Sequence, residues 1–378
     1  MLIALDENIR EAQASFSSIG VAKTFRGRPL DASVIRDADI ICVRSVTKVD
    51  EEFLKLAPKV KFIATATSGS EHLDKEALKA HGIPWAAARG SNAVSVAEWV
   101  TAVLLLHAVR NKKTLKGLTI GIIGVGEVGS RVAKYSEALG MKPVLCDPPR
   151  AEREKDFQSA SYEEALNCDV VTLHTDLTTE GPYKTYHLID AEKLSKIKEG
   201  AVLIQASRGA VIESAPLRER LMRVRDLDFY ADVWEGEPTP DKDILCCAQI
   251  ATPHIAGYSW DGKLRGTEMI YSAVCDFLGK EKTWRAPYNE GGKVEVDLSG
   301  LTGEKALYKA VSALYDPERD DSEMCLTLDM GDKKRAERFD ELRKKYPKRL
   351  EFSHGVVKNA ASSEKNILKA WGFEVSDD

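Results

Sequence analysis

The 378-residue sequence predicts an α/β protein with two doubly wound parallel-sheet domains and a small C-terminal α+β module. Three observations carry that expectation. Short apolar runs recur roughly every 25–35 residues with helical patterns between them, the rhythm of strands joined by helical crossovers. A glycine-rich turn, GIIGVGEVG at 121–129, joins one of those strands to a helix in the Rossmann-like manner. The texture then changes after residue 279, where KEKTWRAPYNEGGK (280–293) is polar and carries Pro and Gly as a linker does. The expected limits are 1–95, completed by 258–280, for the first domain, 96–257 for the second and 281–378 for the last.

In the first domain the strands are read at 2–5, 40–43, 62–64 and 84–87, with EEFLKLAP (51–58) and DKEALKAHG (74–82) as helices, the latter stopped by Gly82. In the second, VAEWVTAVLLLHAV (96–109) is apolar on every face and reads as a buried helix. It leads to the strand LTIGIIG (118–124), the glycine turn and the helix SRVAKYSEALG (130–140). Strands follow at PVLCD (143–147), DVVTLH (169–174), AVLIQAS (201–207), LDFYADV (227–233) and QIATP (249–253), and 254–279 reads as a helix. The last module alternates VEVDL, a helix near 304–315, LTLDM, the charged helix DKKRAERFDELRKKY and a polar tail. Acids are interleaved with the Lys/Arg cluster at 333–349, so this helix reads as a solvated face rather than a nucleic-acid patch.

Composition narrows the classes. A hydrophobic share of 43% with 30% charged residues is that of a soluble globular protein. The net charge of −5 provides no basic field for nucleic acid. Seven scattered cysteines without a Cys-x-x-Cys pair point to reduced thiols and to no metal site. The opening MLIALDENIRE lacks a basic leader, and no run reaches the ~20 apolar residues of a membrane span. A cytoplasmic protein with no membrane partner is expected.

Gly124, Gly126 and Gly129 match G-x-G-x-x-G, with Glu127 and Val128 between the last two. After a strand and before a helix, such glycines allow a tight turn, backbone approach to a pyrophosphate, and close helix–strand packing, while the helix N-terminus faces the phosphate charge. Asp147 ends the next strand, 18 residues past Gly129, where a carboxylate accepts ribose hydroxyls and repels a 2′-phosphate. NAD is therefore expected over NADP, a preference that Arg150 softens. Arg208 in QASRGAV, Glu237 in DVWEGEP and His254 in TPHIAGY each follow a strand. A guanidinium can clamp a carboxylate, and an imidazole of pKa ~6.5, raised by a nearby carboxylate, can exchange a proton near neutrality.

SRGAV, DVWEGEP and TPHIAGY, with GVGEVG upstream, resemble the D-isomer-specific 2-hydroxyacid dehydrogenase family over residues 1 to about 280. The resemblance implies that 1–95 binds substrate, 96–257 binds NAD, His254 is the acid/base, Glu237 orients it and Arg208 holds the substrate carboxylate. Further segments, among them VRSVTKV (43–49), TATSGSEHLD (65–74), DPPR (147–150) and HIAGYSWDGKLRGT (254–267), resemble a branch of that family. That branch oxidises a phosphorylated sugar acid at C2 and dimerises through its C-terminal domain. Its substrate contacts map to Ser45, Thr67 and Tyr258, and its nucleotide contacts to Asp147, Thr175, Ala206, Ser207, Arg208, Asp232 and Gly257. Arg44, with Ser45, Thr47 and Lys48, suits the phosphate chemically. Each has a plainer alternative: Ser45 and Thr67 as turn caps, Tyr258 as a packing aromatic, Asp232 as a helix or turn cap. Arg89 and Ser91 depart from the family, which often has Pro and Cys there. The rival functions are a relative acting on 3-phosphoglycerate or hydroxypyruvate, and a non-enzymatic NAD-sensing protein.

Overall fold

Parallel strands dominate the computed structural model, which describes residues 1–376; these divide into two units, 1–92 with 259–291, and 93–258 with the described residues from 292 onward. In the first unit, β1 (Leu2–Asp6), β2 (Val21–Phe25), β3 (Ile40–Val43), β4 (Phe62–Thr65) and β5 (Trp85–Ala87) form a sheet in the order β2-β1-β3-β4-β5. The central runs IICV and FIAT are wholly buried, as strands covered on both faces must be. β2 has no counterpart among the expected strands. It is an edge strand, VAKTF, largely exposed and without a legible alternation, and its lysine is a residue type that blunts sheet edges. The helix Trp260–Leu278 returns to this unit and packs Ile270, Tyr271, Val274 and Cys275 into its core. It starts six residues later than the expected 254, at a Ser259 cap that accepts the Gly262 N–H at 2.8 Å.

The second unit carries β6 (Thr119–Ile123), β7 (Lys142–Cys146), β8 (Val170–Leu173), β9 (Val202–Gln205), β10 (Asp228–Ala231) and β11 (Ile250–Ala251), ordered β11-β10-β9-β8-β6-β7. Register aligns their carboxyl ends. Cys146, Ile123, Leu173, Gln205, Ala231 and Ala251 are successive pairing partners across the whole sheet. The helix Ala93–Asn111 is long and apolar enough to cross a membrane, but 83% of that stretch is buried within the protein. It serves as the core helix of this unit.

Residues 292–376 share that core. A parallel three-stranded sheet, β12 (Val294–Asp297), β13 (Gly355–Lys358) and β14 (Glu374–Val375), carries Val296 and Val357 into the same cluster as Val96, Leu104 and Tyr135. The helix Gly303–Ser312 packs on Ala93–Asn111. LTLDM (326–330) folds as turns rather than as a strand, and β13 and β14 come from the polar tail instead. The charged helix Asp332–Lys344 is not solvated all round, because Arg335 and Phe339 are buried one turn apart and Arg343 continues the same face.

Candidate active site

Six strand ends at one level put the residues that follow them along one edge of the second unit's sheet, the edge where open α/β folds bind ligands. Asp147 follows β7, Gly124 follows β6, Thr175 lies just beyond β8, Ala206 to Arg208 follow β9, Asp232 to Glu237 follow β10, and His254 lies beyond β11. All these residues, predicted from separate segments, are thus brought to one side.

The glycine turn has the geometry its pattern predicts. Gly124 sits at φ +89°, and a β-carbon there would lie 2.7 Å from the His174 carbonyl carbon. One on Gly129 would lie 2.0 Å from the Gly124 oxygen, whereas one on Gly126 would meet nothing within 4 Å. The helix begins at Glu127 with Gly126 as its cap, so its first N–H groups have no side-chain acceptor. The Thr175 hydroxyl nearby is buried and unpartnered. These features fit a dinucleotide pyrophosphate. Gly126→Ala is accordingly expected to fold with unchanged stability but to bind NAD at least tenfold more weakly, whereas Gly129→Ala should lower the melting temperature. Titration and thermal melts separate the two outcomes.

Asp147 accepts the Val125 N–H at 2.9 Å and caps its own helix through the Arg150 N–H at 3.0 Å. Arg150 is spent locally, on Glu154 at 2.8 Å and on the Val125 carbonyl at 2.7 Å. Its charge is balanced without a 2′-phosphate, which removes the feature that softened the preference for NAD.

Close backbone packing joins the Arg208 and Glu237 segments. A β-carbon on Gly209 would lie 1.9 Å from the Trp234 carbonyl carbon, so only glycine lets these two loops touch. Gln205 braces the first loop: its amide donates to the Arg208 carbonyl at 2.9 Å and accepts from the Ser207 hydroxyl at 2.8 Å. Trp234 braces the second, donating its backbone N–H to Glu237 Oε1 at 2.8 Å and its indole N–H to the Thr252 carbonyl at 2.9 Å. Asp232 ties in His254. Its carbonyl accepts the His254 N–H at 2.7 Å, and its carboxylate accepts the Ile255 N–H and the Thr252 hydroxyl at 2.7 and 2.6 Å. Asp232 is thus a turn cap in this fold, and burial raises its carboxyl above the ordinary range.

His254 has a left-handed backbone, φ +56°, and its Nδ1 lies 2.8 Å from Glu237 Oε2. With Nδ1–H donated to the carboxylate, Nε2 is left to exchange a proton. Burial raises the Glu237 carboxyl, but His254, the hydrogen bond between them, the Trp234 N–H and Arg343 more than offset this and hold it below the usual carboxylate range. Arg343 was not foreseen from sequence. It donates to the Tyr258 hydroxyl at 3.3 Å, and its buried Nε has no partner. The signal was its spacing from Arg335 and Phe339, hidden by a helix otherwise dense in charge.

Arg44, Ser45 and Thr67 belong to the other unit, just past β3 and β4. Ser45 is exposed; Thr67 lies 2.7 Å from the Thr65 hydroxyl and donates to the Gly69 carbonyl at 3.0 Å, the turn-forming alternative. His72 Nε2 lies 2.9 Å from Thr65 Oγ1. Burial pushes the His72 imidazole down to about 4. Because the unfolded chain then takes up a proton first, near pH ~6.5, stability should fall as pH drops from there toward 4. Denaturation across that window should show a shallower slope for His72→Asn.

Residues 86–256 match the family described as D-isomer specific 2-hydroxyacid dehydrogenase, NAD binding domain, and 292–372 match a domain of unknown function (DUF3410). The chain is 42% identical over 384 aligned residues to erythronate-4-phosphate dehydrogenase of Marinobacter nauticus, covering 99% of this chain and 100% of that one. The Escherichia coli O9:H4 enzyme of the same name is 41% identical, with 99% and 98% covered. Among solved structures, NAD+-bound 3-phosphoglycerate dehydrogenase of Entamoeba histolytica aligns at TM-score 0.63 and 28% identity, covering 74% of this chain and 95% of that one. D-lactate dehydrogenase of Aquifex aeolicus, complexed with NAD and lactic acid, aligns at 0.60 and 26%, covering 74% and 96%. The chain belongs to the erythronate-4-phosphate dehydrogenases, a branch of the D-isomer-specific 2-hydroxyacid dehydrogenase family.

Proposed function

We propose that this chain oxidises 4-phospho-D-erythronate at C2 to (R)-3-hydroxy-2-oxo-4-phosphobutanoate, using NAD, in pyridoxal 5′-phosphate biosynthesis. The observation that carries the chemistry is the His254–Glu237 pair at 2.8 Å, on the same sheet edge as the glycine turn. Gly124 to Gly129, Asp147, Thr175, Ala206 to Arg208, Asp232 and Gly257 hold the cofactor. Bound NAD supplies the acceptor for the hydride leaving C2. His254 Nε2 takes the C2 hydroxyl proton as the carbonyl forms, and Glu237 stabilises the resulting imidazolium. Arg208 anchors the substrate carboxylate, with its loop fixed by Gln205. Ser45, Thr67 and Tyr258 contact the substrate.

NADH formation with 4-phosphoerythronate, compared with 3-phosphoglycerate and hydroxypyruvate, tests the substrate. A kcat/KM at least a hundredfold higher for 4-phosphoerythronate is expected; equal or reversed rates overturn the reading. The cofactor choice is supported by the locally neutralised Arg150. A homodimer formed through residues 281–378 is part of the same reading, to be checked by sedimentation. So is a cytoplasmic setting, with which the seven unpaired cysteines agree.

A further inference from the structure

The loop after β10 supplies a carboxylate to each of two histidines. Glu237 meets His254, and two residues earlier Glu235 Oε1 lies 2.6 Å from His187 Nε2. Both histidines have a left-handed backbone, His187 at φ +52°. Such a conformation persists where the surroundings fix it. The acid/base chemistry assigned to His254 gives the His187–Glu235 pair no part.

The pair holds the turn that carries Arg208. Glu235 Oε2 accepts the Ser214 N–H at 3.0 Å, satisfying one of the donors left open at the start of the helix Ser214–Glu219. The segment that carries His187 is laced to the same turn. Its His187 N–H donates to the Ala210 carbonyl at 2.8 Å, its Ile189 N–H donates to the Val211 carbonyl at 3.0 Å, and its Ile189 carbonyl accepts the Glu213 N–H at 3.0 Å. One carboxylate thus joins three segments, 187–189, 208–214 and 232–237. Burial raises the Glu235 carboxyl, but the hydrogen bonds from His187 and Ser214 more than offset this and hold it below the usual carboxylate range. Its bonds are therefore those of an anion, the stronger kind.

The bridge complements the backbone contact between Gly209 and Trp234. That contact keeps the two loops from coming closer. A cavity lined by Gln205, Gly209, Ser214, Trp234, Glu235 and Asp241 lies beside it, so packing alone does not keep them from shifting. The Glu235 bridge does. Arg208 stands two residues before Ala210, and Glu237 two after Glu235, so the bridge sets the spacing between the Arg208 turn and the His254–Glu237 pair. In a 2-hydroxy acid the carboxylate is bonded directly to C2. The group that holds the carboxylate and the group that takes the hydroxyl proton must then keep one separation, and an error of about 1 Å costs about a hundredfold.

We propose that His187 and Glu235 are positioning residues for the oxidation, fixing Arg208 relative to His254. The proposal rests on the roles given above to Arg208 and His254, and not on which hydroxy acid is the substrate.

Oxalate tests it on the full-length protein, because its two adjoining carboxylates stand in for the substrate carboxylate and C2 oxygen and no reaction follows. Its affinity for the protein saturated with NADH is measured by calorimetric titration. A glutamine side chain places its amide nitrogen where His187 Nε2 stands, whereas asparagine reaches only as far as Nδ1. Oxalate affinity should therefore fall about tenfold in His187→Asn and stay within about threefold of wild type in His187→Gln, which keeps the donor to Glu235. Glu235→Ala should lose about as much as His187→Asn, and the two changes together should lose no more than the worse of them, since the side chains act as one unit. Should Glu235→Ala not fold, the contrast between Asn and Gln at position 187 decides alone. Equal affinities in His187→Asn and His187→Gln, losses that multiply in the double variant, or no oxalate binding by the wild type overturn the proposal. The expected pattern with oxalate in a protein that leaves 4-phosphoerythronate unoxidised upholds the bridge and overturns the substrate instead.

Discussion

Replacing His254 with alanine is expected to reduce turnover by about 10²–10⁴-fold, the usual contribution of a placed general base, while NAD affinity stays within about twofold. The imidazole is the group left with a free ring nitrogen after Nδ1 is donated to Glu237, and the backbone that carries it is fixed from both sides by Asp232. Its φ of +56° is a conformation that alanine adopts at some cost, so a His254→Asn variant, better suited to that backbone, separates lost chemistry from lost geometry. Both variants should be inactive if the imidazole does the chemistry. Recovery of near-normal turnover in His254→Asn would instead assign residue 254 a backbone role. Stopped-flow measurement of NADH formation, with NAD binding followed by fluorescence, gives both quantities.

The largest effect on stability is expected at Arg349. Its side chain and that of Glu98 are each only 1% exposed, with Nη2 and Oε2 3.8 Å apart. Arg349 donates to the carbonyls of Ala256 and Ser95 at 2.9 and 2.8 Å and lies 3.9 Å from the Tyr315 ring centroid. Glu98 in turn accepts the Phe352 N–H at 2.6 Å. Arg349→Ala removes the buried counter-charge of Glu98 and one donor from each of two carbonyls, so a loss of about 3–5 kcal/mol in urea denaturation is expected. Combining Arg349→Met with Glu98→Gln should recover a substantial part of it, because the uncompensated charge is then gone. A single-variant loss below about 1 kcal/mol would mean that the pair behaves like a surface ion pair. Ala256 is two residues past His254, so activity should fall in Arg349→Ala even where the protein remains folded.

What was legible in the sequence follows from where the physical constraint is local. The glycine turn could be read because each glycine answers a steric demand within a few residues of itself, as the 2.0 Å approach of Gly129 to Gly124 illustrates. The central strands were legible because burial on both faces leaves an unbroken apolar run, and Arg208, Glu237 and His254 because each follows such a run. Less local demands were invisible. Gly209 is required by Trp234, and Arg349 is required by Glu98, 251 positions earlier in the chain. Neither pairing leaves a mark in its own neighbourhood. The edge strand Val21–Phe25 escaped for the opposite reason: with one neighbour and much solvent, its composition is barely constrained.

The shared interior of residues 93–258 and 292–376 has a consequence for building variants of this chain. The solved relatives align with about three quarters of it while being covered almost completely themselves, which invites the view of the last stretch as a removable appendage. Yet Phe352 and Trp371 pack in the same core as the helix Ala93–Asn111, and that helix is apolar on the side that meets Gly303–Ser312. A stop codon near residue 291 would leave that face wet and sticky, producing an aggregating fragment rather than a minimal dehydrogenase. Conversely, a chimera that grafts residues 292–376 onto a shorter relative would need the helix rewritten first.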